Sequence, residues 1–239
     1  MSTFTSLVRL FLRLLATKGR LLALSGLTIV MLLLASITGR SSTPINDTWT
    51  LFRSFGLSGI IPISALVMGS SAFGDLIDDR TLVHLWLRPA NRALIVGAAW
   101  MAAALVCIPF TVVGITVSLA LAKMPGGAIL GGAFSALLGT LAYSAVFLAL
   151  GLKLRRALPW GLAYILIWEG VLANAGQGLA RFALSLSTRS VSYRSFHNAE
   201  ESMDLKYAFA TSTGVLVLVG ATVVFLGLTL RWLKRADVA

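Results

Sequence analysis

Charged residues are scarce in this sequence of 239 residues. Only 12% of them are Asp, Glu, Lys or Arg, and 57% are hydrophobic, whereas roughly a quarter of the residues in soluble domains are charged. The shortage excludes an ordinary soluble domain and indicates an integral membrane protein. The formal net charge of +11 comes from Lys and Arg in small groups between apolar runs. This distribution fits lipid headgroups and predicts no nucleic-acid partner.

Residues suited to catalysis and metal binding are also few. The single cysteine, Cys107, lies in an apolar run and excludes an intrachain disulfide, while His84 and His197 lie in different segments. The sequence contains no GxxxxGK[ST] loop, no G-x-S-x-G elbow and no H-E-x-x-H pair. We therefore predict no enzyme activity, no metal site and no cofactor bound by this chain. Energy for active transport would have to come from a partner.

Long apolar segments dominate what is present. A hydrocarbon core about 30 Å thick needs roughly 20 apolar residues of helix, and continuous apolar runs, which do not alternate in polarity, exclude a β-barrel. We predict an all-α integral membrane protein with a single transmembrane domain, residues 1–239. Its six predicted spans are about 21–38, 55–73, 94–122, 126–152, 158–174 and 208–231.

An amphipathic stretch precedes the first span. Residues 3–20 carry Phe4, Leu7 and Phe11 along one side, with basic residues such as Arg9 interspersed towards the others. No A-x-A cleavage pattern closes the following run, so a signal peptide is not favoured. The pattern predicts an amino-terminal elbow helix in the membrane interface.

The distribution of Lys and Arg predicts the orientation. With the amino terminus in the cytoplasm, 13 of the 20 basic residues lie inside and 7 outside, which places both termini in the cytoplasm of a multi-pass protein of the inner or plasma membrane. The longest polar interval, about 175–207, then lies outside. Its first part, GQGLARFALSLS, is too apolar for a free loop and predicts a short re-entrant or interfacial helix.

The polar segment from Gly74 to Arg92, GDLIDDRTLVHLWLRPANR, separates the second and third spans. Asp75, Asp78 and Asp79 are typical of a first helical turn, and Arg88 of a last one, so we predict a cytoplasmic helix at about 75–89. Its apolar side chains predict a surface that docks another protein.

Other features lie within the predicted spans. Glu169, the only acidic residue there, is a functional candidate because a carboxylate at membrane depth is costly; alternatively it pairs structurally with a cation such as Arg181. Gly127 and Gly131 have GxxxG spacing, which permits close helix approach. Pro62 and Pro109 predict kinks or local openings in the second and third spans.

This combination resembles the permease subunits of type-2 ABC transporters, the ABC-2 exporters. The family's recurring GTL...LLxRPxxR stretch is matched by Thr81-Leu82, Leu87-Arg88-Pro89 and Arg92, and the fifth span contains the less specific Trp168-Glu169-Gly170. The resemblance covers the whole architecture of elbow helix, six spans, intervening cytoplasmic segment and re-entrant helices. The sequence departs from the family at Arg80, where glycine is frequent, and at Ala98, where many members have lysine.

The resemblance implies that the segment from Asp75 to Arg92 is a coupling helix seated on a separate ATPase subunit, which binds ATP and Mg. It also implies a second permease, as a homodimer or with a related chain, and export of a hydrophobic or amphiphilic drug, peptide or lipid-like substrate. The implied ATPase contacts are Asp78, Asp79, Arg80, Leu85, Trp86 and Arg88. A secondary transporter or channel, and a membrane scaffold without transport, remain the alternatives.

Overall fold

Helix is the only regular secondary structure in the part of the chain that the structure describes. The structure is a computed structural model, and it describes residues 3–78, 91–154, 156–171, 183–196 and 210–235. The helices are α1 (Thr3–Leu15), α2 (Lys18–Thr38), α3 (Pro44–Leu51), α4 (Ile61–Asp78), α5 (Arg92–Ile108), α6 (Gly114–Leu121), α7 (Gly126–Lys153), α8 (Ala157–Ala163), α9 (Leu184–Tyr193) and α10 (Thr211–Arg235).

Wider π-helical turns continue three of these helices. They join α3 to α4 at Phe52–Ile60, join α5 to α6 at Pro109–Val113, and extend α8 at Tyr164–Val171. Proline lacks the backbone N–H that an α-helix uses for hydrogen bonding, so the helical hydrogen-bond pattern loosens next to a proline. The local openings predicted at the two prolines are therefore present as π-helical turns. One set of turns begins at Pro109, and another ends at Ile60, two residues before Pro62. At the first, the Thr28 hydroxyl of α2 donates to the Phe110 carbonyl at 3.3 Å.

Among the described residues, five helical runs are long and apolar enough to cross a membrane, and they identify a multi-pass helical membrane protein. Four of these runs agree closely with predicted spans, while the predicted span 55–73 lies inside a longer run. The fifth predicted span, 158–174, corresponds to a shorter apolar helix, so the six-span architecture remains a prediction. The five runs are Lys18–Thr38, Pro44–Ile77, Arg92–Leu121, Gly126–Lys153 and Thr211–Arg235.

Helix α1 covers only part of the range predicted for the elbow helix, residues 3–20, and its placement in the membrane interface remains a prediction. It ends at Leu15 instead of residue 20, because Thr17 adopts an extended backbone (φ −79°, ψ 144°) and α2 begins at Lys18. Threonine is a favoured residue at such a helix-preceding position. Lys18 and Arg20 therefore belong to the first turn of α2.

Helices α4 and α7 form the centre of the bundle and pack closely through glycines. A Cβ added to Gly69 would lie 3.1 Å from the Leu148 backbone nitrogen, and one added to Gly151 would overlap the backbone of Ser70. Helices α2 and α10 lie at the periphery: 17% of the apolar stretch of each is buried in protein, against 72% for Pro44–Ile77. Small residues thus let the two central backbones approach.

The helix ends form two distinct layers. The first layer contains helix α1, the start of α5, and the ends of α4, α7 and α10. These parts share one hydrophobic cluster or contact each other directly through side chains. We call this layer the charged end. At the opposite end, Trp49 packs on Phe196 with ring centroids 4.7 Å apart, and Gly39 lies against the backbone of Ala122.

Candidate functional site at the charged end of the bundle

Helix α1 is held at the charged end by one apolar face. Leu7, Phe11 and Leu15 recur every four residues, so they share one side of the helix, and all three are buried. Phe11 meets Phe73 of α4 edge to face, with ring centroids 6.1 Å apart, while most of the remaining face packs on α5. Helix α1 therefore rests on both helices that flank residues 79–90.

An ion pair fixes the start of α2 to the end of α4. Nη2 of Arg20 lies 2.8 Å from Oδ2 and 3.0 Å from Oδ1 of Asp75. The two side chains are 24% and 32% exposed. A carboxylate near a helix carboxyl end is opposed by the helix dipole, and the nearby guanidinium offsets that repulsion.

The position of Asp75 corrects its predicted role. The sequence places Asp75 in the first turn of a separate cytoplasmic helix, but α4 continues to Asp78. Asp75 consequently lies in the last turns of a membrane-spanning run, with Arg20 as its partner. The sequence does not predict this partner, because the two residues are 55 positions apart and opposite charges at two predicted cytoplasmic ends do not specify which residues meet.

A cavity of about 250 Å³ adjoins this ion pair. One wall belongs to the end of α4 and the other to the connection between α7 and α8. Arg156, Leu158 and Pro159 on the second wall are exposed, whereas Ser70 and Ser71 on the first are almost completely buried. Its lining residues are Ser70, Ser71, Gly74, Asp75, Leu154, Arg156, Ala157, Leu158 and Pro159.

The charged end also contains a cation–aromatic contact. Nζ of Lys153, the last residue of α7, lies 5.6 Å from the ring centroid of Trp232 near the end of α10. Tryptophan and basic residues at helix ends are typical of the level where hydrocarbon meets headgroups. The contact therefore marks the membrane interface beside the cavity.

A second polar feature lies inside the bundle, where α7 meets α9 and the π-helical turns at Pro109–Val113. The Ser135 hydroxyl donates to the Thr188 carbonyl at 2.5 Å, and the Thr140 hydroxyl donates to the Thr111 oxygen at 2.9 Å. A Cβ added to Gly139, in the middle of α7, would lie 2.8 Å from Cγ2 of Thr188. Helix α9 is therefore inserted against the centre of α7, and the hydroxyl groups of Thr188, Ser190 and Ser192 donate to backbone carbonyls of α9 itself.

The predicted short helix before the last span overlaps α9 only in part. The predicted segment begins at about residue 175, but the described helix is Leu184–Tyr193; residues 172–182 lie outside the described part of the chain. Arg189 on α9 donates from Nη2 to the Ser58 hydroxyl at 2.7 Å. This contact was not predicted, since the two residues are 131 positions apart.

Most of the predicted site residues lie outside the described ranges. Asp78 ends α4, and Glu169 lies in the π-helical turns after α8, so their predicted roles remain predictions. Within the described ranges, no group of three His, Cys, Asp or Glu residues is arranged to hold a metal ion. The predicted residues outside the described part are Asp79, Arg80, Leu85, Trp86, Arg88 and Arg181.

Two sequence comparisons, with protein-family models and with curated proteins, identify no relative. No protein-family model matches the chain, and no curated protein matches it at a significant level of similarity. Any function must therefore be argued from the residues and their arrangement.

Proposed function

We propose that this chain is the permease subunit of an ABC exporter of the type-2 class. It moves a hydrophobic or amphiphilic substrate, such as a drug, a peptide or a lipid-like molecule, out across the inner or plasma membrane. A separate ATPase subunit binds ATP and Mg and docks on the cytoplasmic segment at about 75–89. Both termini of the permease lie in the cytoplasm.

The observation that carries this proposal is the position of α1. Residues 79–90 connect α4 to α5, and α1 packs on both of these helices, while the ion pair between Arg20 and Asp75 ties α2 to the same place. A docking segment attached to such a braced layer can transmit a push from a partner into two spans at once. If the helix ends were loosely packed, a push on the segment would move only those ends and would not reach the spans.

The composition of the interior supports an amphiphilic substrate over a strongly charged one. The fully buried polar side chains among the described residues carry hydroxyl groups, including Ser64, Ser135 and Thr140. Hydroxyl groups can hydrogen-bond a polar substrate group without adding a fixed charge to the path.

A second permease subunit completes the proposed transporter, either as a homodimer or with a related chain. Helices α2 and α10 supply the largest unburied surfaces among the spans. On α10, Gly220 and Gly227 recur after two turns and have open space where a Cβ would stand. Such glycines support close approach of another helix.

The proposal is tested by ATPase association. The tagged permease is purified from its native membrane, a co-purifying ATPase is identified by mass spectrometry, and the pair is then co-expressed with permease variants. Trp86→Ala and Arg88→Glu should weaken association about tenfold or more, as expected for an aromatic and a charged anchor. Lys123→Glu makes the same charge change at the opposite end of the bundle and should leave association unchanged.

Two results would contradict the proposal. One is the absence of any ATPase from the purified native material. The other is unchanged ATPase association and unchanged transport in both Trp86→Ala and Arg88→Glu. Proton- or ion-driven transport without an ATPase would instead identify a secondary transporter, and a chain with partners but no transport would identify a scaffold.

A further inference from the structure

We infer that the cavity at the charged end binds the phosphate headgroup of a membrane glycerophospholipid, whose acyl chains lie along the exposed side of α8. This lipid site belongs to the protein whether or not the chain transports anything, and it does not depend on the proposed function.

The charges around the cavity match a phosphodiester. The carboxylate of Asp75 is neutralised by its ion pair with Arg20. Arg156 adds a guanidinium to the opposite wall, and it has no ion pair with any residue in the described ranges. Arg156, Asp75 and the adjoining Arg20 thus sum to one net positive charge, which suits the single negative charge of a phosphodiester. A guanidinium binds phosphate oxygens with two parallel N–H groups.

The hydroxyl groups of the cavity provide further polar partners. Ser70 and Ser71 lie on its inner wall and are 2% and 5% exposed. The Ser70 hydroxyl donates to the Leu66 carbonyl at 2.6 Å, so its oxygen is left to serve a ligand as an acceptor for an alcohol or ammonium group. A lipid headgroup contains such donors next to its phosphate, and the free oxygen lone pairs of Asp75 accept from the same groups.

The apolar continuation of the cavity identifies a lipid as the source of the phosphate. Leu158 lines the cavity and begins a row with Leu162 and Leu166, which recur every four residues. These side chains are 50%, 46% and 61% exposed. The row leads away from the polar cavity along the helix, as an acyl chain leads away from its headgroup. A soluble phosphate compound has no acyl chain that could pack on this row.

The position of the cavity agrees with this occupant. It lies beside the contact between Lys153 and Trp232, at the level where helix ends meet lipid headgroups. A volume of about 250 Å³ accommodates a headgroup and not a whole lipid, whose tails must therefore remain outside on the apolar row.

The inference is tested with the purified full-length protein by native mass spectrometry. Dioctanoyl phosphatidylglycerol and dioctanoyl phosphatidylethanolamine are titrated, and the wild-type protein should retain one lipid that Arg156→Ala binds about tenfold or more weakly. Arg156→Lys should restore part of the binding. The control Lys123→Ala removes an exposed cation at the opposite end and should bind like the wild type.

Further titrations distinguish the sources of the phosphate. Glycerol 3-phosphate and inorganic phosphate should not displace the lipid at equal concentration, and dioctanoylglycerol, which lacks the phosphate, should not bind at the same site. Leu162→Gln, which leaves the cavity intact, should weaken lipid binding and leave folding unchanged by circular dichroism. Equal lipid retention by Arg156→Ala and the wild type would overturn the inference, as would equal binding of glycerol 3-phosphate and the lipid.

Discussion

At the scale of single residues, the ion pair between Arg20 and Asp75 stands out because it joins two helices at the membrane interface. Its two side chains are 24% and 32% exposed, so water screens the attraction only in part. Charge-assisted hydrogen bonds of this length are stronger than neutral ones. The pair therefore contributes to holding α2 against α4 at the charged end.

A double-mutant cycle measures this contribution. Arg20→Ala and Asp75→Ala should each lower thermal stability in detergent micelles, and the double variant should lose less than the sum of the two. We expect a coupling energy of about 1 kcal/mol. Asp47→Ala, a carboxylate change on α3, is the control and should show no coupling to Arg20→Ala. Additive losses at Arg20 and Asp75 would mean that the pair has no energetic role.

Gly151 allows the central helices to approach each other. A Cβ there would overlap the backbone of Ser70, which cannot rotate away as a side chain can. Gly151→Ala should therefore lower stability by about 2 kcal/mol or more and reduce the folded yield. Gly127→Ala is the matched control on the same helix, since nothing lies within 4 Å of its added Cβ, and thermal unfolding in micelles compares the two. Equal stability of the two variants would contradict the close packing of α4 and α7.

Contacts between individual residues are the features that the sequence predicts least well. The GxxxG pattern predicted close approach at both Gly127 and Gly131, but only Gly131 has a neighbour, the Ser195 side chain. A spacing identifies a helix face, not whether another helix covers it. The same limit explains why the sequence analysis placed Asp75 in a first turn and did not find Arg20 as its partner.

At the scale of elements, an aromatic cluster fastens the end of α9 to the start of the second long run. Phe196 stacks on Phe52 with ring centroids 5.3 Å apart and lies 4.7 Å from the ring of Trp49. All three side chains are nearly inaccessible to solvent. The cluster packs these helices together at the end of the bundle opposite the charged end.

Phe196→Ala should loosen this closure. The lost ring contacts should lower stability by about 2–4 kcal/mol, because an aromatic side chain in such packing leaves a void when it is truncated. Phe134→Ala is the matched control, since Phe134 is 49% exposed on α7 and should have a smaller effect. Hydrogen exchange in micelles should show the loss of protection concentrated in α9 and α3. Similar losses in the two variants would mean that the cluster does not fasten α9.

Elements were predicted better than contacts because apolar length and proline placement act locally. The spans at 21–38, 94–122, 126–152 and 208–231 each have a described helical run of nearly the same bounds, and Pro62 and Pro109 lie next to two of the three π-helical segments. The depth of α9 depends on its fit against Gly139 and Ser135. That fit is a tertiary property which composition does not encode.

At the scale of the whole molecule, apolar character and protein burial are inversely related among the spans. Helices α2 and α10 have a mean hydropathy of 2.3 and are 17% buried, whereas Pro44–Ile77 has a mean hydropathy of 1.7 and is 72% buried. Lipid-facing helices need apolar side chains on most sides, but a helix surrounded by protein can carry hydroxyl groups that bond to its neighbours. The least apolar span is accordingly the central one.

The predicted topology can be tested without removing the natural cysteine. Cys107 is the single cysteine and is buried, so it should not react with a membrane-impermeant maleimide in the folded protein. Ser42→Cys, between α2 and α3, should be labelled on intact cells, and Lys234→Cys at the end of α10 only after permeabilisation. The reverse pattern would place both termini outside the cytoplasm and would remove the coupling segment from the side where ATP is available.

The low burial of α2 and α10 also bears on how the chain is assembled during translation. Helix α2 leaves the ribosome before any helix that it packs against, and its hydropathy lets it reside in lipid alone. The span Pro44–Ile77 enters the bilayer long before Lys153, the last residue of α7, is synthesised. The face of this span that carries hydroxyl groups therefore stays uncovered until α7 packs on it. Helix α10 arrives after that central pair is complete and joins from the lipid side. The order of synthesis thus leaves the central span Pro44–Ile77 without its main partner until α7 is made, and an insertion chaperone would be needed most during that interval.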